Sequence, residues 1–141
     1  MALRWLARRE HSCTELESKL IDKGCEADLA RQVTARLAAE RLVSDARFAE
    51  SLVRARRNRG YGPVRIQKEL AQKGIGKAAI DAVLDARARE WTQDIERVRR
   101  KRFGAGLPRS YAERARQAKF LQYRGFTFDQ IQQVLGSRDC D

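Results

Sequence analysis

Most of the charged side chains in this sequence are basic. The chain has 30 lysines and arginines against 19 acidic residues, a formal net charge of +11. Arginine predominates, and its planar guanidinium group forms forked hydrogen bonds with phosphates and carboxylates. The first basic cluster includes only one acid, Glu69, and its cations are Arg54, Arg56, Arg57, Arg59, Arg65, Lys68 and Lys73. This composition predicts attraction to a polyanion: nucleic acid, an acidic protein surface or an anionic membrane.

Two more basic clusters follow in the C-terminal part of the chain. The second cluster is Arg97, Arg99, Arg100, Lys101 and Arg102, and the third is Arg109, Arg114, Arg116, Lys119 and Arg124. Residues 1–44 have a net charge of +1, whereas residues 45–90 and 91–141 each have +5. A solvated charged face is the alternative interpretation, but few acidic residues alternate with these cations. The candidate partner- or nucleic-acid-binding residues are Arg54, Arg57, Arg59, Arg65, Lys68, Lys73, Arg97, Arg100, Lys101, Arg116, Lys119 and Arg124.

Groups suited to catalysis or metal binding are sparse. The single histidine, His11, stands just before a predicted helix cap, and no Gly-x-x-x-x-Gly-Lys-Ser/Thr loop is present. Cys13, Cys25 and Cys140 are scattered and form no Cys-x-x-Cys pair. We therefore expect no catalytic residues, no metal site and no cofactor, with free thiols in a reducing cytoplasm. No apolar run approaches the roughly 18 residues of a membrane span, and no helix combines a broad apolar face with cations.

The first basic cluster surrounds a corner between two predicted helices. Ser44 is suited to cap a helix from Asp45 to Arg59, which the structural corner Gly60, Tyr61, Gly62 and Pro63 then interrupts. Glycine accepts positive φ angles, and proline suits the first turn of a helix, here one that ends at Lys73-Gly74. Two interpretations of Tyr61 remain open. Its ring either fills the junction between the helices or stacks on a base or a partner side chain.

The corner belongs to a pattern that recurs along the chain. Gly24, Gly74 and Gly125 each follow a basic residue and are separated by 50 and 51 positions. A helix start precedes each turn, at a Ser12-x-x-Glu15 capping box, at Pro63 and at Pro108. No stretch shows strand periodicity. We predict an all-α protein of three tandem three-helix repeats, residues 1–43, 44–90 and 91–141, in an elongated, curved array.

Apolar spacing predicts which side chains form the cores. In the third helix Leu29, Val33 and Leu37 lie one helical turn apart, so we expect them to face inward. Five aromatic residues occupy apolar helical positions and are expected in the core: Phe48, Trp91, Phe103, Tyr111 and Phe120. The candidate recognition helices, over 77–88 and 127–136, have few side chains suited to reading base edges, which argues against sequence-specific DNA recognition.

The central run DARFAES…RRNRGYGPVRIQKELAQKGI resembles the central motif of the RecX family, bacterial regulators of the RecA recombinase. The residues that match in order and spacing are Asp45, Arg47, Phe48, Arg57, Gly60 to Pro63, Ile66, Glu69, Leu70 and Gly74. The segments LARREHSCTELESKL and FLQYRGF extend the similarity over nearly the whole chain.

The resemblance implies a cytoplasmic, non-catalytic regulator that lies in the helical groove of the RecA–single-stranded DNA filament. There it would inhibit filament extension, ATPase activity, strand exchange and coprotease activity. We also expect weak, nonspecific binding to single- and double-stranded DNA, no membrane association and a monomeric protein. The alternative hypothesis is a sequence-nonspecific helix-turn-helix protein that acts directly on DNA.

Overall fold

A computed structural model describes residues 1–136 of the chain, and the regular secondary structure of this part consists of α-helices, without strands. The helices are α1 (Ala2–Arg8), α2 (Cys13–Asp22), α3 (Ala27–Ala39), α4 (Asp45–Asn58), α5 (Pro63–Gln72), α6 (Lys77–Val83), α7 (Glu90–Phe103), α8 (Tyr111–Tyr123) and α9 (Phe128–Leu135). The predicted all-α class is confirmed. Helix α6 is shorter than expected, because it ends at Val83 instead of continuing to residue 88.

The three glycine turns have the same backbone geometry. Gly24, Gly74 and Gly125 have φ angles of +97°, +82° and +98°, in the region that favours glycine. After each glycine, the next backbone N–H donates to the carbonyl five residues earlier: Cys25 to Leu20, Ile75 to Leu70 and Phe126 to Leu121. This is the hydrogen bond of a Schellman helix ending. The repeat that the glycine spacing predicted is therefore present in the structure.

The folded chain divides into two compact units. Unit 1 contains Met1–Val53 and Glu69–Val83, and unit 2 contains Arg54–Lys68 together with the described residues from Leu84 onward. Both α4 and α5 are thus shared between units, whereas the repeat boundaries predicted from sequence lie near residues 43 and 90. Hydrogen bonds inside each unit account for this division. Ser12 Oγ donates to the Lys73 carbonyl in unit 1 over 2.8 Å, and the Gly62 N–H donates to the Arg124 carbonyl in unit 2 over 2.7 Å.

The core of unit 1 lies where α2 packs against α3. Its buried apolar residues include Leu16, Leu20 and Val43. The expectation for α3 is wrong at Leu29, which is 51% exposed. The helix buries the small residues Ala30 and Thr34, and the other two residues of the predicted stripe, Val33 and Leu37, are partly buried against the same core.

Two predicted helix caps in unit 1, Ser12 and Ser44, are present in the structure, but the capping box at Ser12 is incomplete. Ser44 Oγ accepts the Arg47 N–H and Ser12 Oγ accepts the Glu15 N–H, so both serines cap as expected. The reciprocal half of the capping box is not formed. The Glu15 carboxylate instead binds Arg9 at 2.9 Å and Lys73 at 3.5 Å, because two cations are within its reach.

The core of unit 2 lies among α7, α8 and α9, which pack against one another. Trp91 and Phe126 meet edge to face in this core, with ring centroids 6.5 Å apart. The expectation that Tyr111 is a core residue is wrong, since 71% of it is exposed at the start of α8. Helix α8 begins after Ser110, which caps it, and not at Pro108. A serine hydroxyl satisfies a free backbone N–H, whereas proline only tolerates the position.

The described residues, 1–136, include two of the three cysteines of the chain. Cys13 and Cys25 are free thiols, while Cys140 and the tail Ser137–Asp141 lie outside the described residues. Burial raises the pKa of the Cys13 thiol to about 11, and the charge of Asp45 adds to this effect. Within the described range no three His, Cys, Asp or Glu residues are grouped as metal ligands would be. Over the same range no helix has the length and hydrophobicity needed to cross a membrane.

Candidate functional site

The corner between α4 and α5 begins with a glycine in a left-handed conformation. Gly60 has a φ angle of +87°, as the sequence predicted, but Gly62 does not have a positive φ angle. Gly62 is required for a different reason. A Cβ atom at this position would lie 2.5 Å from the carbonyl carbon of Gly125, so the two backbones meet too closely for any side chain.

Tyr61 is packed at the corner by two guanidinium groups. The Arg65 guanidinium lies 4.0 Å from the centroid of the tyrosine ring, and the Arg124 guanidinium lies 5.4 Å from it. Both distances are within the range of cation–π attraction. The ring is half-buried. This arrangement supports the first interpretation of Tyr61, in which its ring fills the junction.

A cationic groove of about 460 Å³ lies in unit 2 beside this corner. Its lining contains no acidic side chain. The lining residues are Asn58, Arg59, Gly60, Arg97, Val98, Lys101, Arg102, Phe120 and Arg124. Four of the predicted binding residues thus meet in one place: Arg59, Arg97, Lys101 and Arg124. We use the term cationic groove for this set below.

Three helices position the cations of the groove. Arg97 and Lys101 are four residues apart on α7 and therefore project from the same face. Arg59 follows the last residue of α4, and Arg124 is the C-terminal cap of α8. The Arg124 Nη1 donates to the Arg59 carbonyl over 3.0 Å, which joins the ends of α4 and α8. Packing therefore holds the Arg124 head group in place before any ligand binds.

The cations of the groove differ in how far carboxylates neutralise them. Arg97 reaches the Asp94 carboxylate at 3.4 Å but keeps 59% of its side chain exposed. Within residues 1–136, no carboxylate lies in ion-pair range of Arg59, Lys101 or Arg102. Positive charge in a concave, acid-free lining concentrates anions from solution. These three side chains are the ones most available to a ligand.

Arg57, another of the candidate residues, is engaged by a carboxylate within unit 2. Its guanidinium makes two hydrogen bonds with the Asp94 carboxylate, at 2.7 and 3.1 Å, and lies 5.0 Å from the Trp91 ring centroid. The hydrogen bonding that Arg57 donates to the Asp94 carboxylate raises the pKa of Arg57. Only 6% of the Asp94 side chain is exposed. Arg57 therefore has a structural role, because the buried carboxylate of Asp94 requires a cationic partner.

The basic cluster at residues 97–102 is also divided in its roles. Arg99 is 1% exposed, and its guanidinium donates to the carbonyls of Gly104, Ala105 and Gly106 at 3.0–3.4 Å. It fixes the connection that follows α7. Arg100 binds Glu96 at 2.6 Å, and this hydrogen bond lowers the pKa of Glu96. Of this cluster, only Arg97, Lys101 and Arg102 line the groove.

The other candidate residues lie outside the groove. Lys73 is in unit 1, where its ammonium group is 3.5 Å from Glu15. Arg65 stacks on Tyr61, as described above. Four exposed cations on α4, α5 and α8 do not line the groove: Arg54, Lys68, Arg116 and Lys119.

The structure adds four groove residues that were not among the predicted site residues: Asn58, Val98, Arg102 and Phe120. A signal for Phe120 was present in the sequence, because it precedes Arg124 by four residues and so shares its helical face. The two side chains stack, with the Arg124 guanidinium 5.1 Å from the ring centroid. Nothing in the local sequence places Asn58 beside α7, since these residues are far apart in the chain.

Comparison with known families accounts for nearly the whole described chain. Residues 1–37 match the family model of the first three-helix domain of RecX, residues 44–84 match the second, and residues 90–135 match the third. The matched segments follow the same order as the three glycine turns.

Individual relatives carry the same name. The chain is 46% identical to the Regulatory protein RecX of Halorhodospira halophila over 140 residues, which cover 99% of this chain and 87% of the relative. It is 43% identical to the Regulatory protein RecX of Pseudomonas fluorescens, with 99% and 90% coverage. The crystal structure of RecX from Lactobacillus salivarius shares the fold, with a TM-score of 0.79, 24% identity and coverage of 95% of this chain and 89% of that one.

Proposed function

The chain belongs to the RecX family of regulatory proteins, and from this premise we propose that it regulates the RecA recombinase. In the proposed mechanism it binds in the helical groove of the RecA–single-stranded DNA filament. Bound there, it inhibits filament extension, ATPase activity, strand exchange and coprotease activity. It acts in the cytoplasm as a monomer made of three repeats, residues 1–43, 44–90 and 91–141.

The cationic groove is the observation that carries this proposal. Arg59, Lys101 and Arg102 present charge without a carboxylate partner among the described residues, and Arg124 is held in place beside them. A filament of protein and single-stranded DNA offers two complementary surfaces, phosphates and acidic side chains. Arginine binds both through charge-assisted hydrogen bonds. The exposed cations Arg54, Lys68, Arg116 and Lys119 extend the proposed contact surface.

Regulation by binding, without catalysis, fits the environment of the single histidine. His11 is buried, its Nδ1 contacts the Arg9 carbonyl at 3.1 Å and its Nε2 contacts the Lys19 ammonium at 3.1 Å. Burial lowers the pKa of His11. Both ring nitrogens are thus occupied by structural contacts, so this imidazole is poorly placed as a general base.

The proposal is tested with a variant that removes three groove cations at once: Arg59→Ala, Lys101→Ala and Arg102→Ala. The matched control removes three exposed cations of unit 1: Arg8→Ala, Lys23→Ala and Lys77→Ala. Inhibition of the DNA-dependent ATPase of RecA is measured for both, with circular dichroism melts to verify folding. The groove variant is expected to lose about tenfold in potency, equivalent to about 1.4 kcal/mol, whereas the control keeps its potency. Equal potency of the groove variant and the wild type contradicts the proposal.

The second candidate function, direct nonspecific action on DNA, is favoured by the same groove because its lining suits phosphates. The two functions are separated by concentration. If the protein inhibits RecA only when it is abundant enough to coat free DNA, direct DNA binding explains the effect. Inhibition at much lower concentrations supports binding to the filament.

A further inference from the structure

Six side chains of unit 2 form a series in which arginines alternate with aromatic rings. Each arginine of the series lies over one or two of the rings. The order is Arg102, Phe120, Arg124, Tyr61, Arg65 and Tyr123, with guanidinium-to-centroid distances of 5.4, 5.1, 5.4, 4.0 and 5.5 Å between successive members. All five contacts are within the range of cation–π attraction. The series connects the cationic groove, at Arg102, with the surface at Tyr123.

The outer end of the series is an exposed aromatic ring. Tyr123 is the last residue of α8 and is 74% exposed. Arg65 contacts it twice, through the guanidinium over the ring and through an Nη1 hydrogen bond of 3.5 Å to the Tyr123 carbonyl. Arg65 is itself stacked on Tyr61, which is fixed at the corner. A large ring is thus supported from one side and open to solvent over most of its surface.

We propose that Tyr123 is a stacking platform for a base of single-stranded nucleic acid, and that the arginines of the series and the cationic groove bind the phosphates of the same strand. Proteins that bind single strands combine a basic groove with aromatic rings on which bases stack. Stacking is tolerant of sequence because every base has a π-face. Bases within a duplex already stack on their neighbours, so the platform selects single strands over double strands.

This inference deepens the proposed function, since the RecA filament contains a single strand, but it concerns a property measurable without RecA. It also separates the roles of the two exposed tyrosines of α8. Tyr123 belongs to the series beside the groove, whereas Tyr111 is at the opposite end of the helix. Tyr111 is 71% exposed and provides a matched control of the same residue type.

The test measures binding to three labelled probes by fluorescence anisotropy: a thymidine strand of about 20 nucleotides, an abasic strand of equal length and a duplex of equal length. The wild type is expected to bind the thymidine strand most tightly. Tyr123→Ala is expected to weaken this binding by about fivefold or more, and to leave binding to the abasic strand unchanged. Tyr123→Trp and Tyr111→Ala are expected to bind the thymidine strand as tightly as the wild type.

Arg65→Lys tests the support of the platform, because lysine keeps the charge but lacks the planar guanidinium that stacks on both tyrosines. It is expected to weaken binding to the thymidine strand more than binding to the abasic strand. Circular dichroism melts show whether each variant is folded, and loss of an exposed ring is expected to leave the melting temperature unchanged.

Two results overturn the inference. Equal affinity of the wild type for the thymidine and abasic strands shows that the protein binds phosphates alone. Unchanged strand binding by Tyr123→Ala shows that Tyr123 does not stack on a base, and weaker inhibition of RecA by the same variant then shows that Tyr123 contacts the recombinase. Failure of the proposed function is recognised separately, by the groove variant inhibiting the RecA ATPase like the wild type.

Discussion

Gly125 and Arg65 approach so closely that no side chain fits between them: a Cβ atom on the glycine would lie 2.8 Å from the Arg65 backbone nitrogen and closer still to its Cβ. The same relationship occurs in unit 1, where a Cβ on Gly74 would lie 2.6 Å from the Cβ of Thr14. Thr14 is the second residue of α2, and Arg65 is the third residue of α5, so both contacts are made near the start of a helix. Gly24 has the same left-handed conformation but no atom within 4 Å of a Cβ.

This difference predicts unequal effects of alanine at equivalent glycines. Gly24→Ala is expected to cost about 1 kcal/mol of unfolding free energy, because only the left-handed conformation is unfavourable. Gly125→Ala is expected to cost about 2–4 kcal/mol, because it adds a steric clash to the same conformational cost. Urea denaturation measures both. Equal losses for the two variants would show that the packing against Arg65 relaxes without cost.

Because Arg57 forms an ion pair with Asp94, we expect its removal to lower the free energy of unfolding more than removal of Arg54, which lies on the same helix. Arg57→Ala leaves a buried carboxylate without its two-pronged partner and is expected to cost about 1–3 kcal/mol. Arg54→Ala, on the exposed surface of the same helix, is expected to change the free energy of unfolding by less than about 0.5 kcal/mol. Thermal melts of the two variants provide the comparison, and equal melting temperatures would contradict it.

Glu15 predicts acid sensitivity in unit 1. Burial raises its pKa, but the hydrogen bond and charge of Arg9 and the charge of Lys73 outweigh burial and lower it from 4.5 to about 2. Because the folded pKa is below the unfolded one, the stabilisation is complete above about pH 4.5 and is lost as the pH falls toward 2. Glu15→Gln is expected to be less stable than the wild type at neutral pH and to lose less stability on acidification. Melting curves between these pH values, with Glu17→Gln as the control, test this; parallel curves for Glu15→Gln and the wild type would refute it.

Salt dependence provides a prediction specific to the cationic groove. For single-stranded DNA each phosphate contact contributes about 0.7 to the slope of log affinity against log salt concentration. Lys101→Ala is expected to reduce the slope by about this amount. Lys77→Ala, which removes an exposed lysine of unit 1, is expected to leave it unchanged. The slopes are obtained from strand titrations at several salt concentrations, and an equal reduction for both variants would show that the net charge acts without a defined site.

The structural features that could be predicted from the sequence are those that depend on residues close together in the chain. Gly24, Gly74 and Gly125 were recognisable because a helix ending in the left-handed conformation requires glycine locally. Arg97 and Lys101 belong to one basic cluster of the sequence, and two residues four positions apart on a helix lie on the same face. These local rules were sufficient for the fold class and for part of the groove.

The remaining features depend on partners that are distant in the chain. Arg57 and Asp94 are 37 residues apart, and no local pattern shows which of several arginines on α4 meets a buried acid. Arg99 lies among other basic residues and cannot be distinguished from them in the sequence. It is nevertheless buried, because the connection after α7 folds back onto it. Charge counting therefore overestimates the cations that are available to a ligand.

The composition of the two compact units has a consequence for synthesis on the ribosome. Unit 1 needs residues 69–83 as well as residues 1–53, and the intervening segment 54–68 belongs to unit 2. During translation the N-terminal domain of a protein usually folds first. Here the first 53 residues emerge without the partners of Ser12 and Thr14 and cannot complete their unit until α6 has been made. By then the first segment of unit 2, Arg54–Lys68, is already outside the ribosome. Its backbone hydrogen bonds to Arg124 and Gly125 can form only after those residues have been synthesised.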